Sequence, residues 1–242
     1  MARMTDDSFW TLPPDRVVRG SMGHCNLTVL LPPFDVDAGT LPANDPARAA
    51  EFAASFGTVD EVLEDLGPRP VLDVPYPYVR TDLDVVQAAV WGHVLGFSDP
   101  ALADAGDDNP LLSEARSLRE WYPDARIVGR VDFHGGASHT EDLVWLPDGT
   151  MFHAAGWAGD EPFEVTGDPA AVASALGIPA EKLADLGLDE EDPADIPWAD
   201  LAALALAESD PWGRRQLHTT AFRVRHTEFA TSTMEELYFV EG

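Results

Sequence analysis

The sequence predicts an α+β fold: a mostly antiparallel sheet built from hairpins and covered by several short helices. Three observations carry that expectation. Arg126 to His134 alternates, with Ile127, Val131 and Phe133 on one side and Arg130, Asp132 and His134 on the other, the period of a half-buried strand. Asp148-Gly149 lies between the apolar runs Asp142–Leu146 and Met151–His153, and Asp-Gly in that setting marks a hairpin turn. Acid- or Asn-capped helix starts with proline at the first position recur, at Asp45-Pro46, Asn109-Pro110 and Asp168-Pro169. The clear strand pairs are hairpins rather than parallel crossovers, which separates this class from doubly wound folds. One domain over 1–242 accommodates these elements, with a helical acidic subregion over 168–210.

In chain order, Arg16–Arg19 and Asn26–Leu31 read as strands, with Gly20-Ser21-Met22-Gly23 as the turn between them. Asp45 caps a helix carrying Ala49, Phe52, Ala53 and Phe56, which Gly57 ends. Thr58-Val-Asp-Glu61 has the spacing of a capping box and predicts a second helix to Leu66-Gly67. Val71–Val74, among prolines, is a short edge strand. Leu83, Val86, Val90, Trp91, Val94 and Leu95 make one stripe at helical spacing, so a helix is expected from Thr81 to Gly96. Asn109 opens a helix through Trp121. Within the Asp148-Gly149 hairpin, a two-residue loop sets Trp145 against Phe152 and Val144 against His153. A short strand falls near Phe163–Val165, and helices at 168–176, 179–187 and 197–208 follow. Thr220–His226 and Leu237–Val240 read as two closing strands that pair as a hairpin.

The formal net charge is −28, with Lys182 the single lysine. Such a charge opposes nucleic-acid phosphates and anionic membranes, so neither is an expected partner. Solubility with a coding bias toward Ala, Arg, Asp, Gly and Pro explains it most simply; a halophilic surface and a nucleic-acid mimic are the alternatives. The run Asp189-Glu-Glu-Asp192 lacks the Gly and distal Glu of a calcium loop and reads as a solvated segment. No apolar run reaches the roughly 18 residues of a membrane span, and residues 1–7 lack the apolar core of a signal peptide. The lone Cys25 excludes an internal disulfide and reads as a small semi-buried hydrophobe. A cytoplasmic protein is expected.

Chemistry concentrates between residues 132 and 153. Asp132 and His134 project from one strand side, His139 follows the glycines 135–136, and His153 lies in the next run. Neutral imidazole and carboxylate suit a divalent metal such as zinc or iron, so Asp132, His134, His139 and His153 are the candidate ligands. Ser138 adjoins His139 but sits in no Gly-x-Ser-x-Gly elbow. His218-Thr-Thr220 has half of a paired His-x-Thr pattern, whose partner at His139-Thr140-Glu141 is out of step. Walker A and dinucleotide fingerprints are absent.

The closing runs Phe222-Arg-Val-Arg-His-Thr and Met234-Glu-Glu-Leu-Tyr-Phe resemble the end of an uncharacterised family of actinobacterial proteins. The resemblance implies no activity. The functional expectation is a module that binds a protein partner or a small ligand without covalent chemistry. The alternative is a metal-dependent enzyme, hydrolase or oxygenase, using the cluster between 132 and 153.

Overall fold

The computed structural model describes residues 9–71, 77–103, 109–134, 138–157, 163–179, 181–182, 187 and 196–239. Nine strands form one sheet: β1 (Ser21–Leu30), β2 (Val59–Pro70), β3 (Val85–Trp91), β4 (Val94–Ser98), β5 (Arg126–His134), β6 (Ser138–Trp145), β7 (Met151–Trp157), β8 (Glu164–Gly167) and β9 (His218–His226). Their order is β2-β9-β3-β4-β1-β5-β6-β7-β8, and each neighbouring pair is antiparallel. Five α-helices are described: α1 (Pro46–Ala53), α2 (Pro110–Trp121), α3 (Pro169–Ala175), α4 (Trp198–Leu206) and α5 (Glu228–Phe239). The expected class, α+β with an antiparallel sheet under short helices, is what the chain adopts.

Strand alternation sorts the side chains into two cores. Leu27, Val29, Val86, Phe97, Ile127, Val131, Phe133, Leu143 and Phe222 pack under α1, α2 and α5. This side is called face A. Leu30, Trp91, Val94, Val128, Val144 and Phe152 pack under α3 and α4 on the opposite side, face B. A sheet covered on both sides has little need of polar alternation in its central strands.

The capped helices form where expected. Asp45 accepts from the amides of Ala47 and Arg48, and Asp168 from Ala171. Asn109 precedes α2 in a left-handed conformation, φ 44°, with no side-chain cap. The alternation of β5 is also as read: its odd residues enter the face A core and its even residues lie on face B.

Arg16–Arg19 holds only an isolated bridge, Val17 to Val79, rather than a strand, and five further local readings are corrected. The stretch 81–96 is the β3–β4 hairpin, not a helix, with Gly92-His93 as a two-residue loop and φ of 73° at Gly92. Val86 and Val90 serve face A, while Ala89, Trp91 and Val94 serve face B, so the run is apolar on both sides and imitates a helical stripe. The supposed capping box begins β2, an irregular edge strand whose acids Asp60, Glu61 and Glu64 pair with Arg225 and Arg223 of β9. The turn expected at 20–23 is largely strand, since β1 starts at Ser21 and absorbs the irregularity in a bulge between Met22 and His24. The final expected strand is helix α5, and β9 pairs instead with β2 and β3. Ala230, Met234 and Tyr238 recur every four residues there and are buried, and Thr227 Oγ1 accepts from the Ala230 amide.

The fifth correction is a register. Trp145 pairs with Met151, Val144 with Phe152 and Leu143 with His153. The Gly149 amide donates to Leu146 O and the Leu146 amide to Thr150 O, so the loop holds Pro147, Asp148 and Gly149. This is a type I turn with a left-handed glycine, φ 92°, rather than a two-residue loop. Of the remaining expectations, residues 72–74, 183–186 and the run at 189–192 lie outside the described residues.

Candidate functional site

Face B carries a polar shelf beyond the part covered by α3 and α4. Cross-strand pairing builds it in rows. Asn26, Arg130 and Asp142 form one row across β1, β5 and β6. His24, Asp132 and Thr140 form the next, and His134 with Ser138 the third. Trp212 borders the shelf, donating from its indole to Thr28 Oγ1 at 2.7 Å and meeting Trp91 edge to face. Phe163 packs over Gly156 at the other side. Gly23 makes room for the Asp132 carboxylate, because a Cβ there would lie 2.5 Å from Asp132 Oδ2.

Two contacts order the charged groups. Arg130 Nε stands 3.5 Å from Asp142 Oδ1, an ion pair too long for a good hydrogen bond, and this buried Nε makes no other. The Arg130 side chain is 24% exposed and that of Asp142 only 7%. Asp132 Oδ1 lies 2.9 Å from His134 Nε2, and His134 Nδ1 lies 2.7 Å from Ser138 Oγ.

Burial sets the titration of the shelf. It pushes Asp142 up to about 7, with the Glu141 and Asp132 charges adding to it and Arg130 opposing. Burial also raises Asp210, against the Trp212 amide and the Arg130 and Arg214 charges. His24 is lowered by burial and then by Arg130, while Asp132 opposes.

The four expected metal ligands do not come together. Asp132 and His134 share face B. His139 pairs with Phe133 in register and therefore lies on face A, buried against Trp157 with ring centroids 5.0 Å apart. His153 is also on face A, its Nε2 2.6 Å from Glu141 Oε1 in full burial. The sheet itself stands between the two pairs. Among the described residues no group of three or more His, Cys, Asp or Glu side chains is placed to hold a metal ion.

Face A holds a second polar group, enclosed by the core. Asp99 accepts from Thr58 Oγ1 at 2.6 Å, from the Ala101 amide at 2.8 Å and from His226 Nε2 at 3.0 Å. Glu114 is pushed to about 7 by burial, against the backbone amides of Gly57 and Thr58. Cys25 is 2% exposed, more deeply buried than the semi-buried hydrophobe expected; burial holds its thiol well above the ordinary range and the nearby Asp99 and Glu141 charges add to this. These groups tie β2, β4, β9 and α2 together.

The chain belongs to a family of unknown function, DUF6333, whose model matches residues 9–241. The match includes both closing runs that resemble an uncharacterised family. No curated protein and no solved structure matches.

Two features of this DUF6333 chain escape motif reading. Arg130 carries a polar anchor on the same alternating side as Asp132 and His134, and that alternation is its only sequence signal. Ser138 stands beside His139 in sequence, yet its hydroxyl meets His134, because the β5–β6 register pairs the two directly.

Proposed function

We propose that the protein binds a small polar molecule on the face B shelf, through an anionic group at Arg130 and hydroxyl or amine donors at Asp132 and Asp210. The observation that carries the reading is Arg130: a partly exposed side chain whose buried Nε makes no hydrogen bond and has only a long contact to a carboxyl that burial pushes to about 7. A fork of donors so placed suits a carboxylate or phosphate oxygen pair. Trp212 and Phe163 offer apolar walls, as small-ligand sites generally do. A small ligand suits this shelf better than a protein partner, because Asn26 and Asp142 of its central row are buried and leave little flat surface. Binding of this kind needs no covalent step. The net charge of −28 and the single cysteine support a cytoplasmic setting without nucleic-acid or membrane partners. No described helix is long and apolar enough to cross a membrane.

The test is thermal shift against a panel of amino acids, hydroxy acids, sugar acids and small organic phosphates. A ligand at a hundred times its Kd adds about 2.7 kcal/mol, roughly 5–10 °C for a chain of this size. At least one member is expected to shift the wild type and to lose that shift in Arg130→Leu. A shift of equal size in Arg130→Leu would remove the shelf from the account.

A further inference from the structure

We infer that Ser138, His134 and Asp132 form a nucleophilic relay that cleaves a small ester held on the shelf, with Ser138 the nucleophile, His134 the general base and Asp132 a positioning residue. Two contacts set the proton pattern. Asp132 Oδ1 stands 2.9 Å from His134 Nε2 as an ion-pair contact, and that negative charge favours the tautomer with its hydrogen on Nε2. In the neutral ring Nδ1 is then the acceptor, and the Ser138 hydroxyl 2.7 Å away donates to it. That is the polarity a serine needs before it attacks. The ring nitrogens exchange the roles they have in most Ser-His-Asp sets, which leaves the proton transfers unchanged, since such sets are defined by geometry and role.

The three residues are also accessible and braced. The His134 and Asp132 side chains are 50% and 34% exposed, and Ser138 is partly exposed. Asp132 and His134 are two apart on β5, so strand alternation holds both on face B, and the β5–β6 pairing sets Ser138 opposite His134. Gly23 leaves the space in which the Asp132 carboxylate lies. Arg130 is on the same side of the same strand, roughly 13 Å from His134 along the backbone at about 3.3 Å per residue. An ester whose anionic end meets Arg130 extends toward Ser138.

The reaction balances within these groups. Ser138 Oγ bonds to the ester carbonyl carbon as its proton passes to His134 Nδ1, and Asp132 stabilises the imidazolium through Nε2–H. The tetrahedral intermediate collapses, the carbon–alkoxide bond breaks, and the alcohol leaves with the proton from Nδ1. Water then attacks the acyl-serine, yielding its proton to Nδ1. Collapse releases the carboxylic acid and returns the proton to Ser138. The sum is ester plus water to acid plus alcohol.

Placement of the substrate rests on the binding reading; the reactivity of Ser138 does not. The experiment uses the whole protein and a small alkyl fluorophosphonate, which phosphonylates an activated serine with loss of fluoride and needs no ligand at Arg130. Intact mass and peptide mapping are expected to show one adduct, on Ser138. Ser138→Ala abolishes it, and His134→Ala slows it by at least about a hundredfold, the lower end of general-base contributions. Asp132→Asn slows labelling and Asp132→Glu restores part of the rate, with both variants melting as wild type does, which a merely structural role would not produce. Circular dichroism melts establish that each variant is folded. No adduct on Ser138 in folded wild type, or one that forms equally fast in His134→Ala, overturns the relay. A lost thermal shift with labelling retained condemns the binding reading alone, and lost labelling with the shift retained condemns the relay alone.

Discussion

Replacing Asp99 tests whether the enclosed polar group of face A is scaffold. The carboxylate is fully buried and takes three hydrogen bonds, from Thr58 Oγ1, the Ala101 amide and His226 Nε2, which join the start of β2, the end of β4 and the end of β9. Asp99→Ala strands all three donors. Breaking a buried pair by removing one partner costs about 3–5 kcal/mol, roughly 6–20 °C in Tm for a chain of this length. Asp99→Asn is milder. Its carbonyl can keep the bonds from His226 and Ala101, and the Thr58 hydroxyl can turn to accept from the new amide, so about 1–2 kcal/mol is expected. The pH dependence identifies the charge. Burial pushes Asp99 upward, but the His226 charge and the hydrogen bonds outweigh it and the net direction is down. The unfolded chain therefore binds the proton first as pH falls. The stabilisation is complete above the unfolded value near 3.9 and is lost as pH falls through the folded one. The gap between wild type and Asp99→Asn is thus full at pH 5 and closes in stronger acid. Urea melts across that range measure it. An Asp99→Ala protein within about 0.5 kcal/mol of wild type, the size of an ordinary surface change, would refute the reasoning, as would a gap that widens toward acid.

Two further perturbations probe the shelf and the sheet edge. Asp142 rises from 3.8 to about 7 on folding, chiefly through burial, so the folded chain holds the proton longer and stability falls as pH climbs between those values. Asp142→Asn removes that slope: relative to wild type it should gain about 2–4 kcal/mol between pH 5 and pH 8.5, read from denaturant midpoints, and a constant offset would contradict the raised carboxyl. Gly167 ends β8 at φ 88°, and a Cβ there would collide with the Met151 carbonyl oxygen. Gly167→Ala should cost about 1–2 kcal/mol, and an unchanged urea midpoint would show that the left-handed conformation is not required.

Much of the fold is legible where one residue's local chemistry dictates the outcome. Asp45-Pro46 and Asp168-Pro169 place helix starts because the cap and the fixed proline φ act within one turn. The alternation of β5 is legible because one side of that strand faces an incompletely covered shelf. The misread elements are those whose character is set by distant partners. Val85–Trp91 is apolar on both sides because helices cover both faces of its sheet, and from sequence alone that coverage is invisible. Val59–Pro70 becomes a strand because β9, far downstream in the chain, lies beside it and supplies Arg223 and Arg225 to its acids. The four-residue recurrence of Ala230, Met234 and Tyr238 was present in the closing segment, but Tyr238-Phe239-Val240 reads equally well as a strand.

The site turned on a single residue in a loop. With a two-residue Asp148-Gly149 turn, His153 would pair with Val144 and share face B with Asp132 and His134, and a compact ligand set would follow. The three-residue turn slips the register by one and sends His153 to face A with Leu143 and Glu141. Pro147 is the residue that decides it. Its fixed φ suits the first central position of a type I turn, Asp148 suits the second, and Gly149 then takes the left-handed position that closes the loop. Proline also lacks the amide that a strand position would need. Read as a three-residue unit, Pro147-Asp148-Gly149 already assigns His153 to the far side of the sheet. Asp132 and His134 are then left with the neighbours that strand pairing gives them, Ser138 and Arg130 on their own face.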